Sequence, residues 1–263
     1  MSNAVDRVVP VTDPLDRRRL KQEVLLVLAV SLGMSGIYAL LRFYVVATTG
    51  PLNSQATAPI VGSAAPGRPW VDLTYQLLNS ARALVPVLLV IYFLHWGGER
   101  ALAVLGIDLN DKARDLLRGA TLAALIGGTG LAFYLLARNA GFNLTVVAVD
   151  LPEVWWRIPV LIIKATQNSV VEEVIVGGYL LHRLAQLGWR PWAAVWASAV
   201  LRGSYHLYQG LGGFVGNVAM GLIFARLYQR WGRTMPMIIA HALIDTVAFV
   251  GYALLRDRVG WLR

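Results

Sequence analysis

From Val24 to Leu255 the chain runs through apolar stretches of about twenty residues, long enough for a helix to cross the roughly 30 Å hydrocarbon core of a bilayer. Within lipid every backbone polar group must find its partner inside the structure, so such stretches predict packed helices. We place about seven spans, at Val24–Val46, Val71–Trp96, Gly119–Leu136, Ile158–Leu187, Trp192–Tyr208, Phe214–Tyr228 and Met237–Leu255. The composition agrees: 57% hydrophobic residues, 15% charged and a mean hydropathy of +0.56 exclude an ordinary soluble surface. The predicted fold class is an all-α, polytopic transmembrane helical bundle.

The net charge of +9 sits mostly at the ends of the apolar stretches, where anionic headgroups and the positive-inside rule place it. The expected charged partner is therefore the lipid bilayer and no nucleic acid. Residues 1–22 read as a disordered, basic cytoplasmic tail ending in Arg17-Arg18-Arg19-Leu20-Lys21, which puts the amino terminus inside an integral protein of the plasma membrane. Residues 23–138 read as amino-terminal spans with an interfacial amphipathic helix over Glu99–Arg118, and 155–255 as a catalytic core. Stretches 47–70 and 138–157 read as outer loops, while Arg256, Arg258 and Arg263 fall on the wrong side for that count. With no cysteine there is no disulfide, thiolate metal site or cysteine nucleophile. His95 and His182, near helix ends, read as interfacial histidines without a partner.

Ionisable groups in the last hundred residues break the apolar pattern: Lys164, Glu172-Glu173, Arg202 with His206, and His241 with Asp245. Carboxylates at membrane depth cost several kcal/mol unless they meet a partner, a proton or water, so they mark a functional site. Adjacent residues on a helix point about 100° apart, so Glu172 and Glu173 serve different roles. Arg202 and His206 share a face at i, i+4, as do His241 and Asp245. Lys164, Asn168 and Glu172, at i, i+4 and i+8, form a polar stripe that either walls a wet cavity or makes interhelical hydrogen bonds. The glycines after His206 predict a chain reversal within the membrane.

A carboxylate with two imidazoles can bind a divalent metal, or it can activate water while other donors hold an oxyanion. The residues leave both open. No His-Glu-x-x-His pattern and no Gly-x-Ser-x-Gly elbow is present.

Glu172-Glu173 followed by Gly178-Tyr179-Leu180, then Ser204-Tyr205-His206, then His241-Ala242-Leu243-Ile244-Asp245, resembles the CPBP family of intramembrane endopeptidases, which includes CAAX prenyl proteases and bacteriocin-processing, Abi-like homologues. The resemblance covers about residues 155–250 and points to a bacterial member. It implies Glu172 and His206 as the water-activating pair, and His241 with Asp245 as oxyanion stabilisers. The cofactor is either none or a divalent metal, zinc among the possibilities, held by Glu172, His206 and His241. Prenyl-protein cleavage is not carried over, since a bacterial host would not obviously supply that substrate.

Two positions depart from the family pattern. Gly177 stands where the family has the arginine that supports its second glutamate, and Arg202 stands where it has a phenylalanine. We expect Arg202 to replace that cation for Glu173 from the neighbouring helix, because a buried glutamate needs an opposite charge or a proton. The expected function is hydrolysis of a peptide bond in a membrane-associated protein or peptide. Competing readings are a catalytically degenerate scaffold or immunity protein and a proton-coupled transporter.

Overall fold

The computed structural model describes residues 8–49 and 58–259. The first seven residues of the expected tail, residues 50–57 of the first outer loop and Arg263 lie outside the described residues. Helix α1 spans Pro14–Ala29, α2 Leu32–Thr49, α3 Pro69–Trp96, α4 Ala101–Leu105 and α5 Lys112–Asn139. Then α6 (Arg157–Glu172) widens into a π turn (Glu173–Tyr179) and continues as α7 (Leu180–Gln186). Helix α8 covers Pro191–His206, α9 Leu211–Trp231 and α10 Met235–Leu255. The all-helical expectation holds, with two short strands added.

Five of these helices, α2, α3, α5, α9 and α10, are long and apolar enough to cross a membrane. The continuous run of α6, π turn and α7 is divided by its change of pitch, and α8 has only 16 residues. The bundle is otherwise the predicted one.

Several expected boundaries are corrected. The tail is not disordered beyond Pro14. Asp13 caps α1 by accepting from the backbone N–H groups of Leu15 and Asp16 at 2.8 and 3.0 Å, and Pro14 has its φ preset for the first turn. The backbone N–H of Val11 donates to Gln186 O at 2.8 Å and Arg17 donates to Leu187 O at 2.9 Å, so this segment is tied to the end of α7. The expected first span is broken between Ala29 and Leu32. There Ser31 Oγ donates back to Val27 O at 2.5 Å, competing with the helical ladder.

The expected amphipathic helix over Glu99–Arg118 is instead the five-residue α4, a turn, and the first turns of α5. Gly106 ends α4 in the left-handed region at φ 62°, which favours glycine. The turn is fastened to the α9–α10 junction: Arg233 reaches Asp108 at 3.0 Å and Asp115 at 2.6 Å, and the backbone N–H of Thr234 donates to Leu105 O at 2.9 Å.

The two expected outer loops contain β1 (Ala58–Gly62) and β2 (Val146–Asp150), paired in parallel with Ala58 opposite Val146 and Gly62 opposite Asp150. Valine at 61, 146, 147 and 149 suits a pleated, partly covered surface, and Pro59 is tolerated because a two-stranded sheet is all edge. Buried Asp72 at the start of α3 accepts from Ser63 Oγ at 2.7 Å and Ala64 N at 2.9 Å, while Gln76 donates to Gly62 O at 2.9 Å. Trp70 and Trp155 meet with ring centroids 6.0 Å apart, so α3 and α6 start side by side from this cap.

The main core forms around the π turn. Ile175 and Tyr179 pack with Val90 and Leu94 of α3, Leu105 of α4, Val195 of α8, Phe224 and Tyr228 of α9, and Met237 and Ala240 of α10. This packing holds the adjacent glutamates in a rigid surround.

Candidate active site

The site forms where the middle of the α6–π–α7 run meets α8 and α10. Glu172 closes α6 and Glu173 opens the π turn, in which the Leu180 N–H reaches the Ile175 carbonyl, five residues back. A π turn rotates the residues beyond it relative to the positions an α-helix would give them, and such turns are frequent at functional sites. Exposure is 9% for Glu172, 0% for Glu173, 2% for Arg202 and 5% for His241, so these groups must satisfy one another.

Arg202 of α8 sits among them. Its Nη1 donates to Glu173 Oε1 at 2.7 Å, its Nη2 stands 3.3 Å from Glu172 Oε2 and 3.1 Å from His241 Nδ1, and its guanidinium lies 5.4 Å from the Phe224 ring centroid. Helix α9 makes room for the stem at Gly221, where a β-carbon would come within 3.2 Å of Arg202 Cδ. The pairing of Arg202 with Glu173 expected from the sequence is therefore present. Gly177 faces the other oxygen: a β-carbon there would stand 2.9 Å from Glu173 Oε2. Among the described residues Glu173 Oε2 and Arg202 Nε have no hydrogen-bond partner.

Glu172 has two different edges. Tyr205 Oη donates to its Oε2 at 2.9 Å, on the same oxygen that faces Arg202. Oε1 points to His206 Nε2, 4.0 Å away. His206 Nδ1 lies 3.0 Å from the carbonyl of Arg202, which can only accept, so the proton sits on Nδ1 and neutral His206 offers a lone pair at Nε2. Tyr205 escaped the sequence reading, although it lies three residues after Arg202 and hence on the same helical face.

His241 of α10 turns Nδ1 to Glu173 Oε1 at 2.9 Å and Nε2 toward Asp245 Oδ2 at 3.6 Å. The first is a hydrogen bond and the second is too long for one. Asn168 lies beside the Asp245 carboxyl, which brings the polar stripe of α6 to this side of the site. Lys164, one turn before Asn168, is half-buried and faces the charge of Arg82 on α3.

The chain reverses directly after His206, as expected. A short 3-10 turn, Leu207–Gln209, leads to Gly210 at φ 109°, a backbone conformation that glycine tolerates, and α9 starts at Leu211. Buried Asn143 holds this turn by accepting from Gly213 N at 2.8 Å.

The ligand atoms that converge are those of Glu172, Glu173 and His241, all within 4.8 Å of one another. The expected metal set had His206 in place of Glu173. The Arg202 guanidinium already contacts all three converging groups at 2.7–3.3 Å, so a divalent ion there would have to displace a buried permanent cation. The donor set thus does not fit a metal while Arg202 is in place.

His182 is not the partnerless interfacial histidine expected. Its Nε2 lies 2.5 Å from Glu99 Oε2, and Arg183 pairs with Glu99 and, at 2.8 Å, with Glu23 of α1. Tyr179 Oη donates to the same Glu23 at 2.7 Å. Burial works against the Glu99 carboxylate, yet His182 and Arg183 outweigh it and hold Glu99 below the usual glutamate range. This network ties α1, the end of α3 and the far end of the π turn together. His95, at the exposed end of α3, donates to Ile91 O at 2.9 Å.

Fold and site define a polytopic helical membrane protein with a carboxylate, histidine and arginine centre between its helices. Residues 154–247 match the family described as Rce1-like, type II CAAX prenyl endopeptidase Rce1-like, and this part of the chain is of the CPBP intramembrane protease family. No curated protein and no solved structure matches the chain. The matched segment carries every group of the buried centre from Glu172 to Asp245.

Proposed function

We propose that the protein hydrolyses a peptide bond in a membrane-associated protein or peptide, with water activated by Glu172 and His206. The observation that carries this reading is the 4.0 Å between Glu172 Oε1 and His206 Nε2. That gap is too long for a direct hydrogen bond and suits one water bound to both atoms. Tyr205 and Arg202 occupy Oε2, which leaves Oε1 for the water.

In the proposed cycle, Glu172 Oε1 takes one proton from the water while His206 Nε2 accepts a hydrogen bond from the other. The water oxygen adds to the substrate carbonyl carbon, and the carbonyl oxygen becomes an oxyanion. His241, with Asp245 behind it, holds that oxyanion. Because Nδ1 of His241 is committed to Glu173, donation from Nε2 requires the imidazolium, whose charge is balanced by the carboxylates on both its sides. Glu172 then returns its proton to the amide nitrogen, the C–N bond breaks, and an amine and a carboxylic acid leave. Arg202 and Glu173 are positioning residues that fix Glu172 and His241. The proposed setting is the plasma membrane with the amino terminus cytoplasmic.

The test is proteolysis of a membrane-peptide library in detergent by wild type and Glu172→Gln, each with and without a chelator. Cleavage that is lost in Glu172→Gln and indifferent to chelator supports the reading. Equal cleavage by the variant removes Glu172 from the mechanism, and chelator loss restored by a divalent ion replaces the water–glutamate step with a metal-dependent one. A cellular phenotype that survives Glu172→Gln, with no cleavage by either protein, points to a scaffold.

A further inference from the structure

Two cations outside the buried centre lie together without a counter-charge. Lys164 on α6 is half-buried and Arg82 on α3 is its charged neighbour. Among the described residues neither has a carboxylate within ion-pair distance, whereas Arg157, Arg183, Arg202 and Arg233 each do. Two like charges at membrane depth are costly unless water or an anion joins them.

Their position relative to Glu172 gives the pair a role. From Val171 through Leu184 every residue of the catalytic run is buried, so nothing can approach Glu172 from that end. On the other side Lys164, Gln167 and Asn168 are all partly exposed, as are His206, Tyr208 and Asp245 across from them. This is the open flank of the site, and Lys164 stands on it with Asn168 and Glu172 on one face of α6. Eight residues separate Lys164 from Glu172, about 12 Å along the helix at 1.5 Å per residue. An extended peptide covers that distance in about three to four residues.

We infer that Lys164 and Arg82 form a subsite for a carboxylate of the peptide substrate, about three to four residues from the bond that is cut. The inference rests on the proteolytic reading and narrows its substrate class to peptides acidic at that distance. The carboxylate is either the peptide's own carboxy terminus or an Asp or Glu side chain. A guanidinium and an ammonium at one carboxylate suit both, since one supplies a planar fork and the other a mobile point charge. Arg82 lies outside residues 154–247, so the amino-terminal helices contribute to selectivity as well as to support.

The experiment uses the full chain in nanodiscs and four peptides sharing one cleavable sequence. They end about three to four residues beyond it as a free acid or an amide, or continue with Glu or Gln at that distance. Binding is read with the Glu172→Gln variant, which needs no turnover, and cleavage is read with wild type. Acid should bind about tenfold tighter than amide, or Glu than Gln, as a charge-assisted hydrogen bond of about 1.4 kcal/mol gives. That ratio should fall to about one in Lys164→Met and Arg82→Gln, and in Lys164→Glu it should invert in favour of a Lys-bearing peptide. The free-acid and Glu pairs tell the two carboxylate sources apart.

Equal binding of charged and neutral peptides by Glu172→Gln would overturn the subsite. A Lys164 effect that tracks only the anionic lipid content of the nanodisc, with equal ratios for all peptides, would overturn it too. Charge-dependent binding without cleavage by wild type would retain the subsite and remove the proteolytic reading, so the two failures are distinct.

Discussion

Gly177 faces Glu173 inside the π turn, its hydrogen directed at a carboxylate oxygen that has no other partner among the described residues. The opposite oxygen of the same carboxylate is held at 2.7 Å by Arg202 from α8. A cation within the turn and a cation from the next helix are thus alternative ways to neutralise one buried glutamate.

Arg202→Phe should destabilise the protein by about 3–5 kcal/mol and remove activity, because it strands two buried carboxylates. Arg202→Phe combined with Gly177→Arg should regain part of both, since a side chain at 177 is aimed at Glu173 Oε2. Thermal unfolding in detergent and cleavage rate check this. No recovery in the double variant would sink the exchange of cations.

Glu172→Gln should lower turnover by about 10²–10⁴-fold, the range for a lost general base. The fold should survive, because the amide oxygen can still accept from Tyr205. Single-turnover cleavage alongside an unchanged unfolding midpoint is the measurement.

Tyr205→Phe should lower kcat by about tenfold with little change in KM, since one hydrogen bond on Glu172 Oε2 is lost while Arg202 stays 3.3 Å from the same oxygen. A rise in KM at constant kcat would show that Tyr205 binds substrate and does not position the base.

Glu99 should make the junction of α1, α3 and α7 sensitive to acid. Its folded pKa lies below the ordinary glutamate value of 4.5, so its stabilisation is full above that value and fades as pH falls through the folded pKa. Glu99→Gln should therefore unfold at a lower temperature than wild type at pH 7, and the two midpoints should converge on acidification below about pH 4.5. A gap that stays constant with pH would assign the effect to packing.

Spans and centre were legible because lipid allows few solutions: a charge such as Glu172 or His241 within an apolar stretch stands out against its neighbours. Local spacing also paired Arg202 with His206 and His241 with Asp245. Contacts across long separations were not legible. Glu99 meets His182 over 83 residues and Glu23 meets Tyr179 over 156, and no periodicity encodes either. The start of α1 was readable in principle, since Asp13-Pro14 is a cap followed by a preset first turn. The density of arginines after it spoke for a solvated tail instead. The strands were hidden because each is five residues long and the first contains Pro59, a residue that counts against a strand wherever the sheet has an interior.

The parallel pairing of β1 with β2 also orders how the chain comes together in the membrane. Its strands flank α3, α4 and α5 in the sequence, so the ladder closes only after all three have emerged and found their places. Arg157, the first residue of α6, comes only seven positions after the last residue of β2. The helices that bear Glu172, Arg202 and His241 are therefore made last and are threaded onto a frame already closed, so a charged core enters the bilayer only when its neutralising partners can be supplied in quick succession.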